Sequence, residues 1–478
     1  MMGRIRHWWV AAGVVVVALG AAATELAVDD GFGSALKAFV AGALAALVAV
    51  LALTLPGVDW RGLLLGAFFI GSGVAAWVFM DEPLVIWALI GVQGVFCLIW
   101  GWPYLSNLRE GVRLGATWLG VAYWVLGVIG ALLVFDVGVT AQRVAYAGIA
   151  GLAVAAVVGL VRSGADLTVG IVAAFLFALA ALLLSGSGNL FETVHTVPPG
   201  KWGASFEGRF WGGEYLLYHP NALAGLAVMV AIRVGPDKLF AAWQRLAVTA
   251  LAGFMVYATN SRTAFVLLVA GGGLHAVMLW WRRRRDIPGL PDYGDTRRTL
   301  VAAAVPFLVL ALVLIVSGGQ GFIFKERYGS GGVTSGRVDT WKFVVDEWKA
   351  APVTDKLFGD TKTARAVVER PGGEGLLLPT DSSAVGSLRR GGVLGVVAFL
   401  FGLALLLWHG LAWVIRRGPP APAWFAMAAI ASVPTLALND WLLGGTGGTF
   451  WILLLAGEAY LLARRQAVLP KSRTRAAA

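Results

Sequence analysis

The sequence predicts an all-α membrane protein, a polytopic bundle of about twelve to fourteen transmembrane helices with one large loop on the outer face. Three observations lead there. Of the 478 residues, 58% are hydrophobic and only 14% charged, with a mean hydropathy of +0.77, a balance outside the range of soluble domains. The apolar residues gather in runs close to the ~20 residues that a helix needs to cross hydrocarbon. These runs are too long and continuous for the alternating strands of a membrane barrel.

Candidate spans fall at 8–27, 34–55, 61–80, 84–102, 114–135, 143–161, 167–185, 219–235, 244–260, 263–281, 299–317, 391–414, 421–441 and 446–463. The segment beginning at His219 is short and the one from 244 is interrupted by polar residues, which makes the count a range. Basic residues orient the bundle: Arg4, Arg6, Arg61, Arg109, Arg113, Arg162, Lys238, Arg245, the run Arg282 to Arg285, Arg297, Arg298, Arg416, Arg417 and the tail from Arg464 to Arg475 all fall on one side if every segment crosses. The positive-inside rule makes that side the cytoplasm, with both termini there. Loops on the opposite side are acidic or neutral, as in Asp29-Asp30 and Asp81-Glu82. The stretch from Arg4 to Ala23 fits either a first span or a signal peptide cut after Ala21-Ala22-Ala23. Cleavage would leave the orientation of the other spans unchanged.

The chain therefore divides into N-terminal spans (1–185), a first long outer loop (186–218), central spans (219–317), a large outer loop (318–390), and C-terminal spans with a basic tail (391–478). Residues 318–388 hold nine Lys/Arg and nine Asp/Glu, so the net charge of +11 resides wholly outside that stretch. Membrane orientation accounts for that excess, and no nucleic-acid partner is needed. Cys97 is the one cysteine, within an apolar stretch, which excludes a disulfide framework and a cysteine-based metal cluster. Within the large loop, Trp341, Val344, Val345 and Trp348 recur at helical spacing after Arg337, predicting an amphipathic helix at the interface. The stretch 351–379 is rich in Gly, Pro and charge and reads as irregular.

No phosphate-binding glycine loop, dinucleotide fingerprint or His-Glu-x-x-His pair is present. Polar residues at the outer ends of spans carry the remaining possibilities. Arg262, in Asn260-Ser261-Arg262-Thr263, stands where one span emerges and the next begins. Arginine at the bilayer centre costs about 2.5–3.5 kcal/mol on the insertion scale, so one near hydrocarbon either snorkels to the interface or faces a wet or anionic cavity. His219-Pro220-Asn221 opens another span, after a loop carrying Arg209. Asp381 is the last acid before the span at 391, where it serves either as a helix cap or in chemistry. Arg389 and Arg390 lie on the outer side, against the positive-inside pattern, and invite an anionic partner. Several guanidinium groups and a carboxylate would thus surround one outward-facing site. Guanidinium suits a diphosphate because it stays charged and binds two oxygens at once.

This pattern resembles the superfamily of O-antigen ligases and O-antigen polymerases, bacterial membrane glycosyltransferases. The residues that carry the resemblance are Arg209-Phe210-Trp211-Gly212, His219-Pro220-Asn221-Ala222-Leu223-Ala224, Ser261-Arg262-Thr263-Ala264, Gly336-Arg337 with Trp341, and Asp381 with Leu388, Gly392 and Gly395. They extend from about 205 to 395 in one order and on one side. The resemblance implies a GT-C-like bundle in the bacterial inner membrane, with its active site and large loop on the periplasmic face. It implies transfer of a glycan from undecaprenyl diphosphate to an acceptor sugar, with inversion and with no metal or other cofactor. The partners implied are a polyprenyl-diphosphate-linked glycan donor, a glycan or glycolipid acceptor and the lipid bilayer. Arg262 and Arg337 correspond to the arginines that hold the donor diphosphate. Asp381-Ser382 stands where the ligases carry a His-Asn pair, and a carboxylate there can accept the proton of the attacking hydroxyl. Arg209, His219, Asn221, Arg389 and Arg390 are the further substrate-binding candidates.

A transporter or flippase of lipid-linked glycans is the main alternative, and a non-catalytic scaffold of envelope assembly a third. Transport would call for ionisable groups along a path near the midplane. The sequence offers Glu458 and His275 within spans, uncharged Gln93, and Arg233 near a cytoplasmic end.

Overall fold

A computed structural model describes residues 32–79, 82–134, 137–185, 209–212, 216–237, 239–284, 337–359, 366–369, 375–378, 382–415 and 448–468. The apolar segments at 8–27, 299–317 and 421–441 lie outside them. Where the sequence predicts spans among the described residues, the structure has helices. These are α1 (Phe32–Thr54), α2 (Trp60–Val78), α3 (Pro83–Gly101), α4 (Leu108–Gly111), α5 (Gly115–Gly120), α6 (Leu126–Val134), α7 (Val137–Arg162), α8 (Leu167–Ser185), α9 (Pro220–Val234), α10 (Ala242–Ala258), α11 (Arg262–Arg284), α12 (Arg337–Ala350), α13 (Val353–Phe358), α14 (Ser383–Ile415) and α15 (Thr449–Val468). Four helical stretches among the described residues are long and apolar enough to cross a membrane: Leu84–Gly111, Val137–Arg162, Leu167–Ser185 and Ser383–Gly410. The protein is an all-α polytopic membrane protein.

Helix α8 forms the centre of one half. It is apolar on every side and buried along most of its length, with α1 and α2 packed against it. A Cβ on Gly62 of α2 would stand 2.3 Å from the Leu167 carbonyl, so glycine is what lets these two backbones touch. In the other half, α14 packs along a span that runs through α5, a single π-helical turn (Val121–Val125) and α6. α15 meets α5, α7, α8 and α9 and joins the two halves.

Two buried polar knots hold this frame. The Glu458 carboxylate, fully buried, accepts hydrogen bonds from the backbone N–H groups of Gly115 (2.8 Å) and Ala116 (2.9 Å), and His409 Nδ1 stands 2.6 Å from it. It thereby caps the positive end of α5 and ties α5, α14 and α15 together. Trp451 of α15 adds an indole N–H bond of 2.7 Å to the Ala116 carbonyl. The second knot is Arg233, whose guanidinium pairs with Asp237 (2.7 Å) and Asp166 (3.2 Å), donates to Thr168 Oγ1 (2.8 Å) and lies 5.3 Å over the Phe240 ring.

The large loop departs from expectation. The stretch 351–379, expected to be irregular, contains α13 and a two-stranded antiparallel hairpin, Ala366–Glu369 with Gly375–Leu378, in which Ala366 faces Leu378 and Glu369 faces Gly375. Glycine and charge there mark the ends of short elements, which periodicity over a longer window cannot detect. The predicted amphipathic helix is present as α12. It packs against α13, α14 and the hairpin, with Val344 buried and Trp348 donating its indole N–H to the Lys356 carbonyl (3.1 Å).

Replacing Glu458 with alanine leaves two backbone donors of α5 and the His409 ring without their carboxylate. The expected loss of about 3–5 kcal/mol for breaking a buried charged cluster should appear as a marked fall in the thermal unfolding midpoint of the detergent-solubilised protein. A midpoint equal to wild type would contradict the assignment.

Candidate active site

The site begins at the corner between α10 and α11. Helix α10 ends at Ala258, Thr259 forms the C-cap, and Asn260 takes the left-handed conformation (φ 47°). The Asn260 N–H bonds to the Tyr257 carbonyl (2.9 Å) and the Ser261 N–H to the Val256 carbonyl (3.2 Å), the two reverse bonds of a Schellman ending. Asparagine is one of the few non-glycine residues that enters this region at low cost. Ser261 at once caps the next helix, its Oγ accepting from the Ala264 N–H (3.3 Å). Between the caps there is a single residue, so the direction of α11 relative to α10 is set and Arg262 opens α11 at a defined place.

Arg262 is half-buried at the positive end of a helix dipole, with no acidic residue in the first turn. A guanidinium there is electrostatically misplaced by itself. A positive helix end of this kind favours an anion.

The corner is braced from outside. Phe210 N–H bonds to the Ala258 carbonyl (2.7 Å) and Arg209 Nε to the Thr259 carbonyl (2.7 Å), so this segment occupies two of the last carbonyls of α10. The Arg209 Nη2 group donates to Asn221 Oδ1 (2.5 Å), and both side chains are buried, 4% and 7% exposed. Asn221 follows Pro220 in the first turn of α9, with His219 at the N-cap position and half-buried. The neighbouring motifs around Arg209 and Asn221 thus meet the corner that carries Arg262. Arg209 acts on the corner and pairs with Asn221. Tyr218, beside them, is buried and close to Thr449 at the start of α15; burial pushes its hydroxyl up to about 12, which keeps it neutral.

The other residues singled out from sequence belong to a second group on α14. The Ser382 carbonyl accepts from Gly386 N–H (2.7 Å) and its Oγ from Val385 N–H (3.3 Å), so Ser382 is the cap of α14. Asp381, one residue earlier, lies outside the described residues. Arg337 opens α12 by its backbone. Arg389, 7% exposed, reaches Glu347 of α12 at 3.7 Å, and Arg390 is half-buried. Directly after them α14 breaks at Gly392 (φ 60°, ψ −153°), a conformation essentially confined to glycine. A Cβ there would stand 2.5 Å from the Leu357 carbonyl oxygen, so the break is where α13 docks.

Sequence reasoning misses Arg143, in the outer part of α7, 6% exposed and beside the Arg390 backbone at Gly127. It shows the same signal as Arg389 and Arg390, a base on the predicted outer side. Attention to charges in loops passes over one placed inside a span.

The fold and this site define a class: a multi-pass helical membrane protein with arginines gathered at the ends of its helices. Residues 247–359 match the protein-family model described as O-antigen ligase. The match takes in the corner at Arg262 and the start of α12 at Arg337, and it supports the O-antigen ligase and polymerase superfamily that the motifs resemble. A search of curated proteins finds no match.

Asn221→Ala removes the acceptor of a buried guanidinium and should lower the unfolding midpoint, in line with about 1.5–3 kcal/mol for a hydrogen bond to a charged group. Asn221→Asp keeps the acceptor and should restore most of it. An alanine variant as stable as wild type would refute the brace.

Proposed function

We propose that the protein is a membrane glycosyltransferase of cell-envelope polysaccharide biosynthesis, moving a glycan from undecaprenyl diphosphate to an acceptor sugar on the periplasmic face of the inner membrane. The observation that carries this reading is the braced corner: Arg262, at the positive end of α11, within the segment that matches the O-antigen ligase family. A diphosphate joined to a lipid tail is an anion that remains at a membrane surface, where such a corner can meet it.

In the proposed reaction the acceptor hydroxyl attacks the anomeric carbon opposite the diphosphate. The new C–O bond forms as the bond to the diphosphate breaks, the configuration inverts, and the hydroxyl proton passes to the Asp381 carboxylate. Negative charge builds on the departing diphosphate, where Arg262 and Arg337 stabilise it. Removing one such group typically costs about 3 kcal/mol at the transition state. Arg209 and Asn221 keep Arg262 in place, and His219 stands next to them at the entrance to α9.

Transport of lipid-linked glycans uses the same arginines for binding but needs titratable groups along a path. Two of the groups that sequence offered for that purpose are engaged otherwise: Glu458 caps α5 and Arg233 is held by Asp166 and Asp237. Those contacts favour transfer.

Arg262→Ala and Arg337→Ala should each reduce transfer at least a hundredfold while the protein stays folded. Asp381→Asn should reduce turnover with donor affinity unchanged. The check is polyprenyl diphosphate released by purified variants from a polyprenyl-diphosphate oligosaccharide, with the unfolding midpoint as a folding control. Wild-type turnover in both arginine variants would overturn the assignment.

A further inference from the structure

Helix α10 leads into the Arg262 corner at its C-terminal end and begins with a different arginine at the other. Arg245, one turn into α10, is 8% exposed, and its shielded Nε has no hydrogen-bond partner. Among the described residues no carboxylate pairs with its guanidinium. Asp237, in the turn before α10, is already engaged: it pairs with Arg233 (2.7 Å), as Asp166 does (3.2 Å). A guanidinium taken out of water without a counter-charge is expensive. The helix itself adds to that cost. Ala241 at the N-cap has no side-chain acceptor and the first turn holds no acid, so the positive end of the helix dipole stands beside the guanidinium. The side chains of a helix lean toward its N-terminus. Arg245 is therefore directed to the same region as the first N–H groups of α10, which no carbonyl within the helix satisfies. Gln244 is used elsewhere: its Oε1 accepts from Ala241 N–H (2.9 Å) and its Nε2 donates to the Thr54 carbonyl (2.7 Å), fastening this end of α10 to α1. Around it Leu239, Trp243 and Leu246 are exposed, an apolar and aromatic rim of the kind that lies at a membrane interface. The charge pattern predicts that this end of the bundle faces the cytoplasm.

We infer that Arg245 and the uncapped N-terminus of α10 form a site for the headgroup phosphate of an anionic phospholipid in the cytoplasmic leaflet. Two phosphate oxygens suit the guanidinium fork and another the helix N–H groups. A free phosphate ion offers the same oxygens, but only a lipid also brings acyl chains to the rim of Leu239, Trp243 and Leu246. The site lies at the opposite end of α10 from the Arg262 corner and does not depend on the reading of that corner.

The test titrates the detergent-solubilised full chain with phosphatidylglycerol or phosphatidylcholine and reads bound lipid by native mass spectrometry. Wild type should retain phosphatidylglycerol in preference to phosphatidylcholine. Arg245→Gln should weaken one bound phosphatidylglycerol at least tenfold and leave phosphatidylcholine binding unchanged. Ala241→Asp should do the same, because a carboxylate at the N-cap occupies the first N–H groups and repels the phosphate. Ala241 is exposed, and aspartate there completes a capping box with Gln244, so this variant keeps the test decisive where Arg245→Gln does not fold. Arg162→Gln, which removes a half-exposed arginine paired with Glu110 at the same end of the bundle, should leave the lipid in place. Excess inorganic phosphate separates the two sources: lipid that stays bound supports the headgroup site, and lipid that is displaced makes it a free-anion site and overturns the lipid assignment. Equal retention of both lipids by wild type, wild-type binding in both the Arg245 and Ala241 variants, or an equal loss in Arg162→Gln would overturn the site.

Discussion

The hydrogen bonds from Arg209 to the Thr259 carbonyl and to Asn221 hold together what the rest of the site requires. Helix α10 must end, turn and hand over to α11 within one residue, and a helix end exposes carbonyls that need donors. Asn260 and Ser261 satisfy some from within; Arg209 and Phe210 supply the rest from a segment that precedes α9. A buried guanidinium with two such bonds, each of about 1.5–3 kcal/mol when the partner is charged, fixes the angle between α10 and α11. Arg262 inherits its position from that angle. The site is thus a product of helix termini, where backbone groups left unpaired by the helix are matched by side chains from elsewhere.

Buried charge is handled differently at the two ends of the bundle. Arg233 has two carboxylates, a hydroxyl and an aromatic face around it, and Glu458 has two backbone donors and a histidine. Each is a closed arrangement that secures helices. Arg262, by contrast, adds a cation to an already positive helix end, and Arg389 is met by a carboxylate that is half in water.

Much of the fold was legible in the sequence because a membrane imposes a length and a polarity that hydropathy reads directly. The runs at 34–55, 143–161, 167–185 and 446–463 became α1, α7, α8 and α15 with ends shifted by a few residues. The corner at Arg262 was legible too, since a polar quartet between two apolar runs marks a turn at a membrane face. Its brace was not: the 2.5 Å contact of Arg209 with Asn221 links positions that no local pattern connects. Local reading also fails for the break at Gly392, since an isolated glycine pair in an apolar run is compatible with a straight helix and the reason for the kink is the docking of α13. The cap that Ser382 makes on α14 is another feature that hydrogen-bond geometry shows and residue type leaves open, because aspartate and serine both cap well.

Glycosyl transfer differs from transport in one chemical respect, the breaking of the bond between sugar and diphosphate. The most direct measurement incubates the purified full-length protein in nanodiscs with a polyprenyl-diphosphate oligosaccharide and a panel of sugar acceptors, and follows donor, free polyprenyl diphosphate and lengthened glycan together. The account predicts equal amounts of polyprenyl diphosphate and of new glycosidic bond of inverted configuration. Donor that binds, or crosses the bilayer, and is recovered intact with every acceptor would contradict it.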